Sequence, residues 1–473
     1  VTERIDLESN AAAQARPGDR RFRPGALIEG LARPLVRLID AAARPLVRVL
    51  DAAARPLARL IDAAARPLVR VLLRGTRHGT LTIVDQDASR SFGIATPDGP
   101  AVVVIVHDVR FYRALLRGSL GVSEAYTEAW FDCAELAELA RLAALNMPAL
   151  DRWRRAVRPL VAAPQALASW CARNTPKRSR RRIAAHYDIG NDLFRLMLDE
   201  TMTYSCAIFE EPASSLHEAQ LAKLDRICRK LQLAPEDHVL EIGTGWGGFA
   251  IHAASHYGCR VTTTTISQEQ RRLAVERIAA AGLEDRITVL LSDYRDLDGT
   301  FDKLVSIEMI EAVGWQYFDT FFERCASLLA PDGAMLLQAI TIDERAYEVE
   351  KAKRSFANTH VFPGGCLPSL SVISRSVSRV TDMRQIQLED ITTHYVRTLR
   401  CWRENFMAQL ERVRSLGYDG RFQRTWELYL AYCEGGFGGG RIGNVQLLLA
   451  KPQFRPAFDA PAGVVPTAAV SVP

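Results

Sequence analysis

The 473-residue sequence has no C-x-x-C pair, and its nine cysteines are an odd number. That argues against a disulfide framework and a Cys-rich zinc site, and for a reducing compartment. A clean membrane-spanning run is also missing. A long uncharged stretch, Ile242 to Cys259, holds five glycines and two histidines and makes a poor span. The opening VTERIDLESN lacks the apolar core of a secretory signal. Neither sign of charge dominates. Sixty Lys and Arg stand against 55 Asp and Glu, and a net +5 over this length points to nucleic acid only if locally clustered. What is present is ordinary globular composition, 48% hydrophobic and 24% charged, which excludes collagen, long coiled coil and wholesale disorder. There is room for about two to three domains.

Residues 1–32 are polar and punctuated by Arg, Gly and Pro, and read as disordered. Residues 33–72 carry an eleven-residue repeat, RPLVRLIDAAA from Arg33 to Ala43 and then its near-copies. Eleven residues are close to three helical turns, so each copy presents the same face. Pro34, Pro45, Pro56 and Pro67 oppose one straight helix. A tolerated tandem duplication explains the repeat; a basic amphipathic helix lying on an anionic membrane is the alternative. Residues 73–150 read as a small α+β domain, with strands at 81–84, 91–95 and 101–108 ahead of helices. Residues 151–182 form a linker ending in a cluster from Arg173 to Arg182, with six Lys or Arg and no acid. No aromatics interleave it, so single-stranded nucleic acid is a poor partner and none is expected.

From 183 to 452 the pattern turns α/β, and 453–473 read as a disordered tail. Expected strands are His238–Ile242, Arg260–Ile266, Ile287–Leu291, Lys303–Ile307, Ala334–Ile342 and Asn444–Ala450. Helical patterns lie between the first five, which predicts a mostly parallel, doubly wound sheet. The densest local signal is the run from Val239 to Gly248, an apolar strand entering a glycine turn that opens a helix. Gly243, Gly245 and Gly248 satisfy dinucleotide spacing, so glycines alone do not choose the ligand. Glu241 does: its carboxylate would repel a pyrophosphate and suits a cationic amino-acid moiety. The second strand, VTTTTI, also ends without the acid a dinucleotide ribose wants. E-x-G-x-G resembles motif I of the class I S-adenosylmethionine methyltransferases, and Asp293 fits that family's adenine-side position.

Longer segments narrow the resemblance. AAHYDIGNDLFRLMLDETMTYSCAIFE (184–210), TTISQEQ (264–270), VSIEMIEAVG (305–314), VFPGGCLPSL (361–370) and LYLAYCEGGFGGGRIGNVQLLLAKP resemble the cyclopropane-fatty-acyl-phospholipid synthases. More broadly, they are similar to methyltransferases of unsaturated lipid acyl chains. GSLGVSEAYTEAWFDC (118–133) is similar to the small N-terminal domain of the longer members. The resemblance implies an α/β class I methyltransferase sheet, S-adenosylmethionine, and one-carbon transfer to an isolated double bond, closing a cyclopropane. The same attack ending in a methylene branch is the alternative, as is a soluble small-molecule substrate. Attack by the alkene leaves a carbocation, which a dry aromatic pocket protects and a base quenches by taking a proton.

For that base the resemblance implies a bound bicarbonate. Cys206 would offer it a backbone amide, Glu311 would orient it, Tyr395 would donate a hydroxyl and Ile340 would offer backbone. Gln338 stands where a His is usual, and Ala312 where a second His is common; Gln can hydrogen-bond an ion but carries no proton at neutral pH. For the cofactor, the implied residues are Tyr204, Ser205, Glu241, Gly243, Gly245, Gly247, Thr265, Gln270, Asp293 and Tyr294. No metal is implied. The implied partner is an unsaturated phospholipid in an anionic membrane, met from the cytoplasmic side by peripheral association. The Arg173–Arg182 cluster would assist, each charge contributing about 1 kcal/mol near an anionic surface. A separate reductase would be needed to turn a methylene branch into a methyl branch. A homodimer is left open.

Overall fold

Leu240 and Ile242 face one side of a short strand and Val239 the other, and all are buried. A strand covered on both faces belongs at the centre of a sheet. The computed structural model, which describes residues 62, 64–86, 88–152 and 189–455, puts it there. The strands of the second half are β5 (His238–Ile242), β6 (Arg260–Thr265), β7 (Ile287–Leu291), β8 (Phe301–Ile307), β9 (Leu329–Ile342), β10 (Arg384–Asp390) and β11 (Ile442–Ala450). Their order is β10-β11-β9-β8-β5-β6-β7. Neighbours from β9 to β7 run parallel, and β11 lies antiparallel between β9 and β10. The order reverses beside β5, the switch point outside which ligands sit in such sheets.

All six expected strands are present. β10 was not expected. Its sequence, RQIQLED, is polar and almost wholly exposed, as befits an edge strand protected by charge. The helix Leu216–Leu231 leads into β5 and is started by a capping box between Ser215 and Glu218.

The first half holds a four-stranded sheet of β1 (Gly79–Asp85), β2 (Ala88–Ile94), β3 (Ala101–Val106) and β4 (Phe131–Asp132), ordered β2-β1-β3-β4. β3 alternates strictly: Val102, Val104 and Val106 point inward, Ala101, Val103 and Ile105 outward. Residues 64–73, which include the start of the fourth repeat copy, are helical, with Ala65 and Val69 buried one turn apart. The Arg173–Arg182 cluster, residues 1–32 and 456–473 and, apart from Asp62, Ala64 and Ala65, the earlier repeat copies lie outside the described residues; of the expected C-terminal tail, 453–455 are described and Phe454 is buried.

One apolar cluster runs from this small sheet into the helices Thr392–Ala408 and Gly420–Gly438. Gly435 permits that packing. A Cβ there would lie 2.3 Å from the Ala137 carbonyl and 2.5 Å from Ala140, on the helix at 136–152. Polar ties fix the arrangement: the Tyr126 hydroxyl donates to Glu427 (2.8 Å), and Arg424 donates to the Phe131 carbonyl (3.0 Å) and to Asp132 (2.8 Å). Among the described residues no helix is long and apolar enough to cross a membrane.

Candidate active site

At the end of β5 the chain turns through Gly243, Gly245 and Gly247, with φ of +108°, +52° and +86°. Only glycine adopts such a series without strain. Gly247 caps the helix Gly248–Tyr257 from a left-handed conformation and does not line the cavity, so its part in the loop is the turn rather than ligand contact. Gly245 is different. A Cβ there would meet no protein atom within 4 Å, because the residue borders an open cavity. That is the cradle a close-lying ligand requires.

The cavity, of about 980 Å³, runs along the C-terminal ends of β5, β6 and β8 and continues into the small domain. Every other residue assigned above to the cofactor lies on its wall: Tyr204, Ser205, Glu241, Gly243, Thr265, Gln270, Asp293 and Tyr294. Glu241 is buried and accepts from the Thr263 hydroxyl at 2.5 Å, and burial pushes its carboxyl up to about 8. The Thr265 hydroxyl donates to the Gln270 side-chain oxygen at 2.9 Å and so fixes that amide. The Tyr204 and Tyr429 hydroxyls pair at 2.6 Å. Ser205 accepts from Lys223 at 2.9 Å; burial brings that buried ammonium down to about 8. The Tyr294 hydroxyl is buried and has no hydrogen-bond partner. Asp293 already has work within the protein: both its oxygens accept from the Arg295 guanidinium at 2.8 Å. The glycine cradle, the buried acid and the unpartnered hydroxyl fit S-adenosylmethionine, which carries a cationic amino group as well as a sugar and a base.

Further along the cavity, Cys206, Gln338, Tyr395 and the Glu311–Ile340 pair do come together, from four separate segments. They do not surround an empty space. They surround Glu308, a residue the sequence reading passed over. One Glu308 oxygen accepts from the Cys206 amide (3.0 Å), the Gln338 side-chain nitrogen (2.9 Å) and the Asn444 side-chain nitrogen (2.5 Å). The other accepts from the Tyr395 hydroxyl at 2.6 Å. Burial first, and then the Glu308 charge, hold that hydroxyl well above its ordinary range, so it stays a donor. Glu311 accepts from the Ile340 amide at 2.5 Å, and its second oxygen has no partner. Burial, with Glu308 beside it, pushes the Glu311 carboxyl up to about 8. The Ile340 amide is therefore engaged by Glu311. The donors assigned to a bicarbonate are engaged by a carboxylate of the chain itself. The residues present do not fit a second anion at this point.

Asn444 was expected only as the start of a strand, and Lys223 was not singled out. Glu308 had one sequence signal, a second acid three positions before Glu311 in VSIEMIEAVG. Elsewhere, Asp199, Glu200 and His217 bring ligand atoms within 4.8 Å of one another. Asp199 there accepts from Thr201 and pairs with His217, and Glu200 is largely exposed, so the group reads as a surface ion-pair cluster.

The strand order, the glycine cradle and the buried acid at the end of β5 define an S-adenosylmethionine-dependent methyltransferase. The sequence profile of the mycolic acid cyclopropane synthetase family matches residues 174–447. The tuberculostearic acid methyltransferase UfaA1 of Mycobacterium tuberculosis is 38% identical over 80% of this chain and 90% of its own. The cyclopropane-fatty-acyl-phospholipid synthase of Escherichia coli K12 is 36% identical over 77% of this chain and 91% of its own. Among solved structures, the mycolic acid cyclopropane synthase CmaA1 complexed with SAH and CTAB is 31% identical. It has a TM-score of 0.54 and covers 57% of this chain and 98% of its own. The chain belongs to the mycolic acid cyclopropane synthetase family and is a C-methyltransferase.

Proposed function

We propose that this protein transfers one carbon from S-adenosylmethionine to the double bond of an unsaturated phospholipid acyl chain. The observation that carries the proposal is the cavity itself. It is continuous from the glycine loop, past Glu308 and Glu311, to an apolar extension lined by Val122, Leu136 and Leu139 of the small domain. A long hydrocarbon would bring its double bond to the cofactor while its tail lies among apolar side chains. The relatives named for lipid substrates support the same reading.

When bound, the cofactor supplies an electrophilic methyl on a sulfonium. Gly243 and Gly245 would let it approach the backbone, Glu241 would face its amino group, and Gln270, Asp293 and Tyr294 would border its sugar and base. The residues of the chain then manage a cation. Tyr395 packs on Phe437 with ring centroids 4.4 Å apart and meets Trp402 edge-on at 6.1 Å. This aromatic cluster excludes water and presents ring density to positive charge. A proton must finally leave the added methyl. If the electron pair it leaves behind attacks the cationic carbon, a cyclopropane closes. If a hydride first shifts from the methyl-bearing carbon, the same loss leaves an exocyclic methylene. The ring is the reading the synthase resemblance favours. The similarity to a tuberculostearic acid methyltransferase over 80% of the chain favours the branch as a second reading.

The test is lipid mass. Expressed in cells rich in monounsaturated phospholipid, the protein should add the mass of one CH2 to those chains. Resistance to mild hydrogenation then marks a ring, and uptake of hydrogen an exomethylene. Soluble, cofactor-binding protein that adds no mass would overturn the proposal. Leu139→Arg places a charge in the apolar extension. It should lower lipid turnover by at least about tenfold, since an unpaired charge there must be desolvated by the chain, while cofactor affinity measured by calorimetry stays within about twofold.

A further inference from the structure

We infer that Glu308 is the general base of this enzyme, a carboxylate of the chain standing in place of an exchangeable anion. The inference rests on the acyl-chain chemistry proposed above. Four observations converge on it.

The first is the donor set. An ionised carboxylate is acceptor-only, and Glu308 is met by donors only: an amide N–H, two side-chain amides and a phenol. The second is the way these donors are aimed. Gln338 could present either end of its amide to Glu308. Its oxygen accepts from Gln446 at 3.0 Å, and the Gln446 oxygen accepts from Lys230 at 2.7 Å, so the Gln338 NH2 is turned inward. A neutral amide that cannot be the base thus positions one. The third is backbone strain. Glu308 has φ of +48°, a left-handed conformation that ordinarily favours glycine and strains a longer side chain. Such outliers persist where the surroundings over-determine them. Here the left-handed turn is what aims the side chain back into the cavity, onto donors from β9, β11 and the helix Thr392–Ala408.

The fourth is a remaining lone pair. The Glu308 oxygen that faces Cys206, Gln338 and Asn444 accepts three hydrogen bonds and is saturated. The oxygen facing Tyr395 accepts one, which leaves it a lone pair for a proton. The step balances within the chain. A C–H bond of the added methyl breaks, its electron pair quenches the cation by forming a carbon–carbon bond, and the proton goes to that oxygen. Beside it Glu311, with its carboxyl at about 8, stays neutral at pH 7 and adds no competing charge.

The experiment uses the full-length protein, monounsaturated phospholipid vesicles and buffer stripped of carbon dioxide. Wild type should turn over at the same rate, within about twofold, with or without added bicarbonate, and 13C-bicarbonate NMR should show no binding. Glu308→Gly suits the left-handed backbone, so it should fold and bind S-adenosylmethionine as wild type does. It should lose at least about 100-fold in rate, the usual worth of a positioned base. Added bicarbonate should bind to it and restore rate. Glu308→Gln fills the same volume without a base and should lose as much, with no rescue. Bicarbonate binding to wild type, stimulation of wild type by bicarbonate, or a Glu308→Gly rate equal to wild type would each overturn the inference. The NMR comparison of wild type with Glu308→Gly stands even if phospholipid proves not to be the substrate. Absence of any lipid product from wild type therefore sinks the functional proposal alone.

Discussion

Gly245→Val should abolish useful binding of S-adenosylmethionine while leaving the protein folded. Gly245 sits at φ +52°, where a β-branched residue is strained by about 1–2 kcal/mol. Its added carbons would meet no protein atom, so the fold gives no further resistance. They would instead project into the cavity at the place where the loop backbone must approach the ligand. Both effects fall on the bound state or the loop, and none on the core. Calorimetric titration should show the dissociation constant rising by more than about 100-fold for valine and about tenfold for Gly245→Ala, each factor of ten being 1.4 kcal/mol. The melting temperature should move by only a few degrees. A valine variant that binds as wild type would mean the cofactor does not lie on this loop. By contrast, substitution at Gly247, which caps the next helix from φ +86° and lines no cavity, should act on stability rather than on affinity.

The contrast between these two glycines shows what sequence could and could not convey. Strand β5, the turn and the following helix were legible because an apolar run, glycine spacing and a helical pattern all agree locally. β10 was not, because an edge strand needs few apolar residues: the alternation in RQIQLED spans only Ile386 and Leu388, and both are exposed. Cys206, Tyr395, Glu311, Ile340 and Gln338 were legible as members of one site only through long motifs, and the structure does gather them. What they gather around was hidden. The role of Glu308 depends on a positive φ and on donors from residues 206, 338, 395 and 444. Sequence order carries neither. The groups expected around an ion, the Cys206 amide, the Gln338 side chain and the Tyr395 hydroxyl, meet the Glu308 carboxylate instead.

The remaining large effect concerns Glu241 and pH. Its carboxyl is 3% exposed and is raised by burial from an ordinary 4.5 to about 8. The unfolded chain therefore releases this proton near pH 4.5, while the folded, cofactor-free protein keeps it until about pH 8. Between those values the folded state binds more protons, so stability falls as pH rises. The contribution is fully present below pH 4.5 and gone above about pH 8. Glutamine keeps the shape and the acceptor for Thr263 but does not ionise. Relative to wild type, Glu241→Gln should therefore be near neutral at pH 5 and more stable at pH 8, by up to about 4 kcal/mol. Urea unfolding midpoints at pH 5, 6.5 and 8 measure this directly; parallel curves for the two proteins would refute it. The same proton couples to the ligand. If the cationic amino group of the cofactor faces Glu241, binding at pH 7 must ionise the carboxyl and release its proton. Affinity should then rise with pH toward 8, and the binding enthalpy should vary with the ionisation enthalpy of the buffer. Glu241→Gln should abolish both dependences. On that reading, the cationic group Glu241 would meet accounts for keeping a buried acid that destabilises the free protein at neutral pH.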